Sequence, residues 1–195
     1  MARPREDAEE VIAERIDDLR DWLAAHHTRG TGVWLVTWKA ADPDRHIPWP
    51  DIVDELLCVG WIDSLPRKRD DATTMLWIAP RKPGSNWSRI NKDKIARLEA
   101  EGRMTAPGRA AVEAAKADGS WSALDEVEAL VIPDDLQAAF DTAPGAEDTW
   151  HAFPRTVKRG ALEQLLNAKR PATRAARIDT IVTDSAAGRR PLQWR

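Results

Sequence analysis

The sequence predicts an α+β fold: a mostly helical single domain with a small three-stranded antiparallel sheet and a C-terminal helical pair. Three observations predict it. Apolar residues recur at helical spacing over residues 6–27 and again over 155–187. Residues 32–39, GVWLVTWK, are β-branched and aromatic and are bounded by turn residues, which is typical of a strand. Two further apolar runs, 61–65 and 73–79, flank the charged segment PRKRDD and predict an antiparallel hairpin.

The composition of the 195 residues, with 43% hydrophobic and 31% charged, is that of an ordinary soluble globular protein. There is no apolar run of about 18 residues, and the first 22 residues are charged throughout, so we expect neither a signal peptide nor a transmembrane helix and a cytoplasmic location. One cysteine excludes an internal disulfide, and four scattered histidines give no zinc-type spacing. We therefore expect no metal site and no other cofactor.

The first helix is predicted over residues 6–27, and the following strand, 32–39, is apolar on both faces. Such a strand suits an inner position in a sheet that helices cover. Pro50 then suits the first position of a helix that runs over residues 51–59, and Gly60 is placed to end it in a left-handed conformation.

Cys58 lies in the last turn of this predicted helix. A catalytic cysteine needs a lowered pKa, and the negative end of a helix dipole raises it instead. The sequence therefore favours Cys58 as a small buried hydrophobic residue over a nucleophile.

Asp63 is an acidic residue between Ile62 and Ser64 in the first hairpin strand. If it is buried it needs a partner, because an unpaired buried carboxylate is very costly. The candidate partners are the cationic residues Arg67, Arg81 and Lys82.

After the hairpin, Ser85 or Asn86 is a natural N-cap for a helix that reaches residue 101. Its predicted core face consists of Trp87, Ile90, Ile95 and Leu98. Arg81 and Lys82 precede this helix start, where free backbone N–H groups also favour anions. The sequence therefore places a candidate anion or carboxylate site at this point.

The remainder of the chain predicts further helices, with a helix from Thr105, an acidic loop over 117–132 and a short helix over 133–140. Two longer helices follow, over 155–169 and 171–187. From Arg155 onward there are ten Lys and Arg against three Asp and Glu, a balance of +7. We therefore predict an α+β core over residues 1–150 and a basic C-terminal helical segment over 151–195 packed on it.

Four ordered blocks carry a family resemblance: WPDIVDELLCVGWIDS, PRKPGSNWSRIN, RLEAEGRM, and AKRPATRAARI with the later AGRR. With them, the chain from Trp22 to Arg190 resembles the YdeI/OmpD-associated family, also called bacteriocin-protection proteins. The characteristic residues of that family match Glu55, Cys58, Gly60, Trp61, Ile62, Asp63, Arg81, Lys82, Pro83, Trp87, Ser88 and Asn91. Two positions depart from the pattern, since Ser64 stands where Gly is frequent and Val59 where an aromatic residue is frequent.

The resemblance implies a stress protein that protects bacteria against bacteriocins or antimicrobial peptides and associates with an outer-membrane protein, and it brings no established catalytic residues. Combined with the residue chemistry, it predicts a non-enzymatic protein that binds a partner or a small anionic ligand. Arg81 would pair the anion, polar side chains would hydrogen-bond it, and indoles would form an apolar wall. The predicted binding residues are Trp61, Asp63, Arg81, Lys82, Trp87, Ser88 and Asn91.

Two alternatives belong to other classes. The first is an enzyme in the same cleft that uses Asp63 as a general acid or base and Cys58 as a nucleophile, although no second base stands at a recognisable spacing. The second is nucleic-acid binding through the basic C-terminal helices, which the acidic charge of −3 of the whole chain disfavours.

Overall fold

The computed structural model describes residues 8–191. Within the chain two compact units are distinguished, Met1–Ser122 and Ala123–Arg195. The division falls earlier than the boundary predicted at residue 150, because the helices that precede residue 150 share one apolar cluster with the C-terminal helices.

The first unit is built around a mixed sheet of four described strands in the order β1-β2-β4-β3. The strands are β1 (Glu10–Ile12), β2 (Val33–Trp38), β3 (Trp61–Lys68) and β4 (Thr73–Pro80). The three predicted strands are present and pair antiparallel, β2 with β4 and β4 with β3. The prediction of three strands was incomplete, because β1 adds a parallel fourth strand beside β2.

β1 lies in a segment for which the sequence predicted helix. The predicted helix 6–27 is therefore wrong in its first part, and residues 6–7 lie outside the described residues. Helix α1 spans Ile16–His26. It begins there because the Asp18 carboxylate accepts hydrogen bonds from the backbone N–H groups of Glu14 and Arg15, at 3.0 and 2.9 Å, and so caps the helix start.

The inner position of β2 is confirmed, and residues 33–37 are all buried. The β3–β4 hairpin is longer than predicted, because Pro66–Lys68 continue the strand after an irregularity between Asp63 and Pro66. Asp70 closes the turn, since its Oδ1 accepts from the backbone N–H groups of Ala72 and Thr73.

Three further helices complete the first unit, α2 (Trp49–Cys58), α3 (Arg89–Ala100) and α4 (Ala106–Ala117). Gly60 has φ +77°, so the predicted left-handed end of α2 is confirmed. Gly108 permits close packing of α4 on α2, because a Cβ there would lie 2.2 Å from the carbonyl oxygen of Cys58.

Two details of α3 differ from the prediction. Its N-cap is Ser88 rather than Ser85 or Asn86, because the Ser88 side chain accepts from the backbone N–H of Asn91. Ile90 is 68% exposed, so it does not face the core with the buried residues Trp87, Ile95 and Leu98.

The second unit is helical, with five described helices: α5 (Asp125–Glu128), α6 (Asp134–Asp141), α7 (Ala146–Ala152), α8 (Arg155–Leu166) and α9 (Pro171–Ala186). The predicted C-terminal helical pair is confirmed as α8 and α9, and α5 lies in the segment predicted as loop. Their apolar faces meet in one cluster that contains Leu136, Phe140, Trp150, Leu165 and Ile181. In the described part of the chain, no helix has the length and apolar character needed to cross a membrane.

Candidate functional site

A pocket of about 820 Å³ is formed by described residues of the first unit, and we call it the outer pocket. It lies where the segment before β2, the ends of β3 and β4 and the loop after β4 come together. Gly32 allows this close approach, because a Cβ there would lie 2.5 Å from the carbonyl oxygen of Ile78. Its polar and aromatic lining consists of Glu9, Arg29, Thr31, Ser64, Trp77, Arg81, Lys82 and Ser85.

Arg81 is held firmly where β4 ends. Its backbone N–H donates to the carbonyl oxygen of Gly60 at 3.0 Å, and its Nη1 donates to the carbonyl oxygen of Asn86 at 3.0 Å. Its guanidinium lies 3.7 Å from the centre of the Trp87 ring, which is a cation–π contact. The side chain is therefore positioned before any ligand arrives.

The remaining donors of Arg81 are not satisfied. Nε and Nη2 are both buried and have no hydrogen-bond partner among the described residues. Burial lowers the pKa of Arg81 to about 10, and the nearby charge of Asp63 offsets only part of this effect. Arg81 stays cationic at neutral pH, and an anion would relieve the cost of its desolvation.

Trp87 is the second predicted site residue that the structure brings to this place. It is 1% exposed, and its Nε1 also has no hydrogen-bond partner among residues 8–191. Lys82 follows Arg81 and lines the outer pocket beside it. Arg81, Lys82 and Trp87 thus form the part of the predicted site that is brought together.

Trp61 and Asp63 lie elsewhere. Side chains alternate along β3, so Ile62 and Ser64 line the outer pocket while their neighbours do not. Trp61 is 1% exposed and donates from Nε1 to the carbonyl oxygen of His27, which makes it a core residue.

The Oδ2 of Asp63 accepts from the indole N–H of Trp49 at 3.0 Å. Asp63 influences Arg81 electrostatically, but the two do not form an ion pair in the described part of the chain. The partner that sequence reasoning missed is Trp49, which precedes the predicted helix and gave no signal of a contact with the hairpin.

Ser88 and Asn91 are occupied by the helix start. The Ser88 hydroxyl accepts from the backbone N–H of Asn91 at 3.3 Å, which satisfies one of the free donors of α3. Neither residue lines the outer pocket. The sequence predicted that Ser88 and Asn91 bind a ligand. In the structure, the hydrogen bond between them stabilises the start of α3.

Sequence reasoning also missed a group of buried charges on α2. The residues Asp54 and Glu55 are only 5% and 4% exposed, and both lie in the helix predicted over residues 51–59. Each receives two or more cationic side chains, as in the pairs Glu55–Arg20 at 2.7 Å and Asp54–Lys94 at 2.5 Å. We call this set the α2 ion cluster; it comprises Asp54, Glu55, Arg20, Lys94, Arg97 and Arg103.

Burial by itself would raise the pKa of Asp54, but hydrogen bonds from Lys94 and Arg97 hold it below its ordinary value. The only sequence signal for the cluster is the presence of adjacent acidic residues, 54 and 55, on an otherwise apolar helix face. Their partners come from α1, α3 and the residues after α3, so no local pattern reveals them.

Cys58 lines a separate cleft of about 550 Å³ beside Glu55. Burial, with a further contribution from Glu55, raises the pKa of this thiol to about 11. Since the thiolate is the nucleophile, this raised pKa disfavours a nucleophilic role for Cys58 near neutral pH. Within residues 8–191, no group of three or more His, Cys, Asp and Glu side chains is arranged to hold a metal ion.

Comparison with known proteins gives two family matches. Residues 129–188 match the family described as Bacteriocin-protection, YdeI or OmpD-Associated, which confirms the resemblance for this part of the chain. Residues 11–111, which contain Arg81, Lys82 and Trp87, match a family described as Domain of unknown function (DUF8412). No curated protein matches the chain, and no solved structure matches it. Because residues 11–111 are more than half of the 195, the chain belongs to the DUF8412 family, and it carries a YdeI/OmpD-associated region in its C-terminal part.

Proposed function

We propose that this chain is a non-catalytic protein that binds an anionic ligand in the outer pocket. The observation that carries the proposal is the charge of the lining. Among the described residues, four charged side chains line it, and three of them, Arg29, Arg81 and Lys82, are cationic. The one carboxylate, Glu9, pairs with Arg29 at 2.8 Å, so the charges of Arg81 and Lys82 are left to attract a ligand.

The composition of the pocket favours binding over catalysis. No histidine and no cysteine is found among the described residues that line it, and its single carboxylate is in an ion pair. General acid–base catalysis requires an ionisable side chain that is free to take up a proton. Trp77 and the apolar side chains instead supply a wall for the uncharged part of a ligand.

We further propose that a protective role works through this binding. The description of the family that residues 129–188 match suggests bacteriocin protection. A bacterial host that produces the wild-type chain should survive a bacteriocin challenge better than a host that produces Arg81→Ala. Equal survival of the two hosts, at equal protein levels, would show that protection does not depend on Arg81 in the outer pocket.

The binding proposal itself is tested by thermal unfolding with phosphate, sulfate, acetate and citrate at matched ionic strength. An anion that binds the folded chain at about 100 times its Kd stabilises it by about 2.7 kcal/mol. We expect a saturable rise in Tm for the wild type with at least one of these anions. The rise should be lost in Arg81→Ala and weakened in Lys82→Gln.

Lys68→Gln is the matched control, because Lys68 is an exposed cation on β3 that pairs with Asp71 and does not line the outer pocket. Its rise in Tm should equal that of the wild type. Equal rises in wild type and Arg81→Ala would refute the site.

Neither alternative is supported by a specific observation. A nucleophilic Cys58 is disfavoured by its pKa of about 11. Nucleic-acid binding through α8 and α9 is disfavoured because their arginines have partners within the second unit, as in the pairs Arg159–Glu128 at 2.7 Å and Arg174–Asp135 at 2.5 Å.

A further inference from the structure

Arg81 lines a second, smaller space, which we call the inner cavity. It has a volume of about 70 Å³ and lies between the loop after β4 and helix α4. A site needs only about 10–15 Å³ of such volume to hold one water molecule, so the inner cavity has room for a small polar group. Its lining comprises Arg81, Lys82, Pro83, Gly84, Ser85, Trp87, Ala111, Ala114, Ala115, Asp118 and Ser120.

Residues with buried polar atoms that lack partners concentrate around this cavity. Among the described residues, five buried side-chain atoms have no hydrogen-bond partner, and four of them belong to residues that line it. They are Nε and Nη2 of Arg81, Nε1 of Trp87 and Oγ of Ser120. Buried polar groups are normally hydrogen-bonded, so such a concentration indicates a missing acceptor.

The geometry of these donors indicates the kind of acceptor. Nε and Nη2 form one edge of the guanidinium, and their two parallel N–H groups match the two oxygens of a carboxylate. The other edge is already used, because Nη1 donates to the carbonyl oxygen of Asn86. Trp87 Nε1 can only donate, and the Ser120 hydroxyl can do so. All four groups can therefore donate a hydrogen bond, which is what an anionic acceptor requires.

Asp118 does not fill this role. Its Oδ2 accepts from the backbone N–H of Gly84 at 3.0 Å, and its Oδ1 accepts from the backbone N–H of Ser120 at 2.9 Å. The side chain of Ser120 and these amides hold the pKa of Asp118 below its ordinary value, although the Ser120 hydroxyl has no hydrogen bond of good geometry to any described residue. The carboxylate fixes the walls of the cavity and leaves the Arg81 donors unpaired.

We infer that the inner cavity is a binding site for a small carboxylate group, held by Arg81 through two parallel hydrogen bonds and by the indole N–H of Trp87. The inference deepens the proposed function, on which it rests through Arg81, by naming the chemical class of the anion and the place of its charged group. The inference goes beyond the proposed function because it assigns roles in binding to Trp87 and to Ser120. Sequence reasoning did not single out Ser120.

The test follows the indole N–H resonances of ¹⁵N-labelled protein during titration with acetate, with chloride at equal ionic strength as the comparison. One indole resonance should move downfield and saturate with acetate, and it should be absent from the spectrum of Trp87→Phe, which keeps an aromatic ring under Arg81. Ser120→Ala should weaken acetate binding by about tenfold, since a hydrogen bond to a charged group is worth about 1.5 kcal/mol or more.

Arg29→Gln is the control, because Arg29 lines the outer pocket and does not line the inner cavity. It should leave the affinity for acetate unchanged. Loss of the thermal response to larger anions in Arg29→Gln, with normal acetate binding, would separate the outer pocket from the inner cavity.

Three outcomes would overturn the inference. A Trp87 resonance that does not move shows that ordered water or nothing satisfies these donors. An equal response to chloride shows a site for a spherical anion rather than a carboxylate. Unchanged acetate affinity in both Trp87→Phe and Ser120→Ala places the anion elsewhere, even if the outer pocket binds its ligand as proposed.

Discussion

The α2 ion cluster and the Arg81 site are two ways in which the first unit buries charge. In the cluster every buried carboxylate meets cationic partners, as Glu55 meets Arg20 and Arg103 at 2.7 and 2.8 Å. At the other site the side chain of Arg81 has one hydrogen bond and a ring contact, and two of its nitrogens have no partner in the described residues. A charge network that is complete within the chain holds elements together, whereas an incomplete one is suited to a ligand.

The largest expected loss of stability comes from a substitution that disrupts the α2 ion cluster. Glu55 and Asp17 both pair with Arg20, at 2.7 and 2.6 Å, but their side chains are 5% and 63% exposed. Removing Glu55 takes away its charge-assisted hydrogen bonds with Arg20 and Arg103, each worth about 1.5 kcal/mol, whereas removing the exposed Asp17 costs about 0.5 kcal/mol. Urea unfolding should therefore show a large loss of stability for Glu55→Ala and a small one for Asp17→Ala. Equal losses would mean that burial does not distinguish the two pairs.

A second effect concerns pH. The pKa of Asp54 is lower in the folded chain than its ordinary value of about 3.8, so its ionised form stabilises the fold. This contribution is fully present above that value and is lost as the pH falls through the lowered pKa. The free energy of unfolding should fall with acidification in this range, and the fall should be smaller in Asp54→Ala. An identical pH dependence of wild type and variant would contradict the paired state of Asp54.

A smaller effect separates helix capping from ligand binding next to Arg81. Ser88→Ala removes the cap of α3 and should lower stability by about 1 kcal/mol. Anion binding measured by thermal shift should keep the same Kd as the wild type. A loss of affinity without a loss of stability would show that Ser88 takes part in anion binding.

The smallest expected change in stability is at Arg81 itself. Arg81→Met removes a desolvated charge together with one hydrogen bond and one ring contact, and these contributions oppose each other. The free energy of unfolding should stay within about 1 kcal/mol of the wild type, while the anion-induced rise in Tm disappears. A loss as large as that of Glu55→Ala would show that Arg81 is part of the scaffold.

Much of the fold follows from local patterns. β2 is apolar on both faces and lies inside the sheet, and Gly60 ends α2 with a positive φ. α8 and α9 follow their apolar spacing. Residues 10–12 did not follow their pattern. Their apolar spacing predicted a helix, but Val11 and its neighbours form backbone hydrogen bonds with β2 instead.

The candidate site was predictable only in part. Arg81 and Lys82 were recognised because a basic pair before a helix start favours anions whatever surrounds it. Trp61 and Asp63 were assigned to the same site because they are close to it in sequence, but strand alternation turns them away from the outer pocket. Ser120 gave no signal, since its place beside Trp87 depends on how α4 packs.

The sequence by itself determined the α+β class, most helix and strand positions and the cationic residues at the end of β4, because propensity, spacing and turn chemistry act over a few residues. Tertiary structure decided which charges are paired. Asp54 and Glu55 pair with cations from segments far along the chain, whereas two nitrogens of Arg81 have no acceptor among residues 8–191. Burial and pairing depend on contacts between distant residues, so only the packed chain distinguishes the complete charge network from the incomplete one.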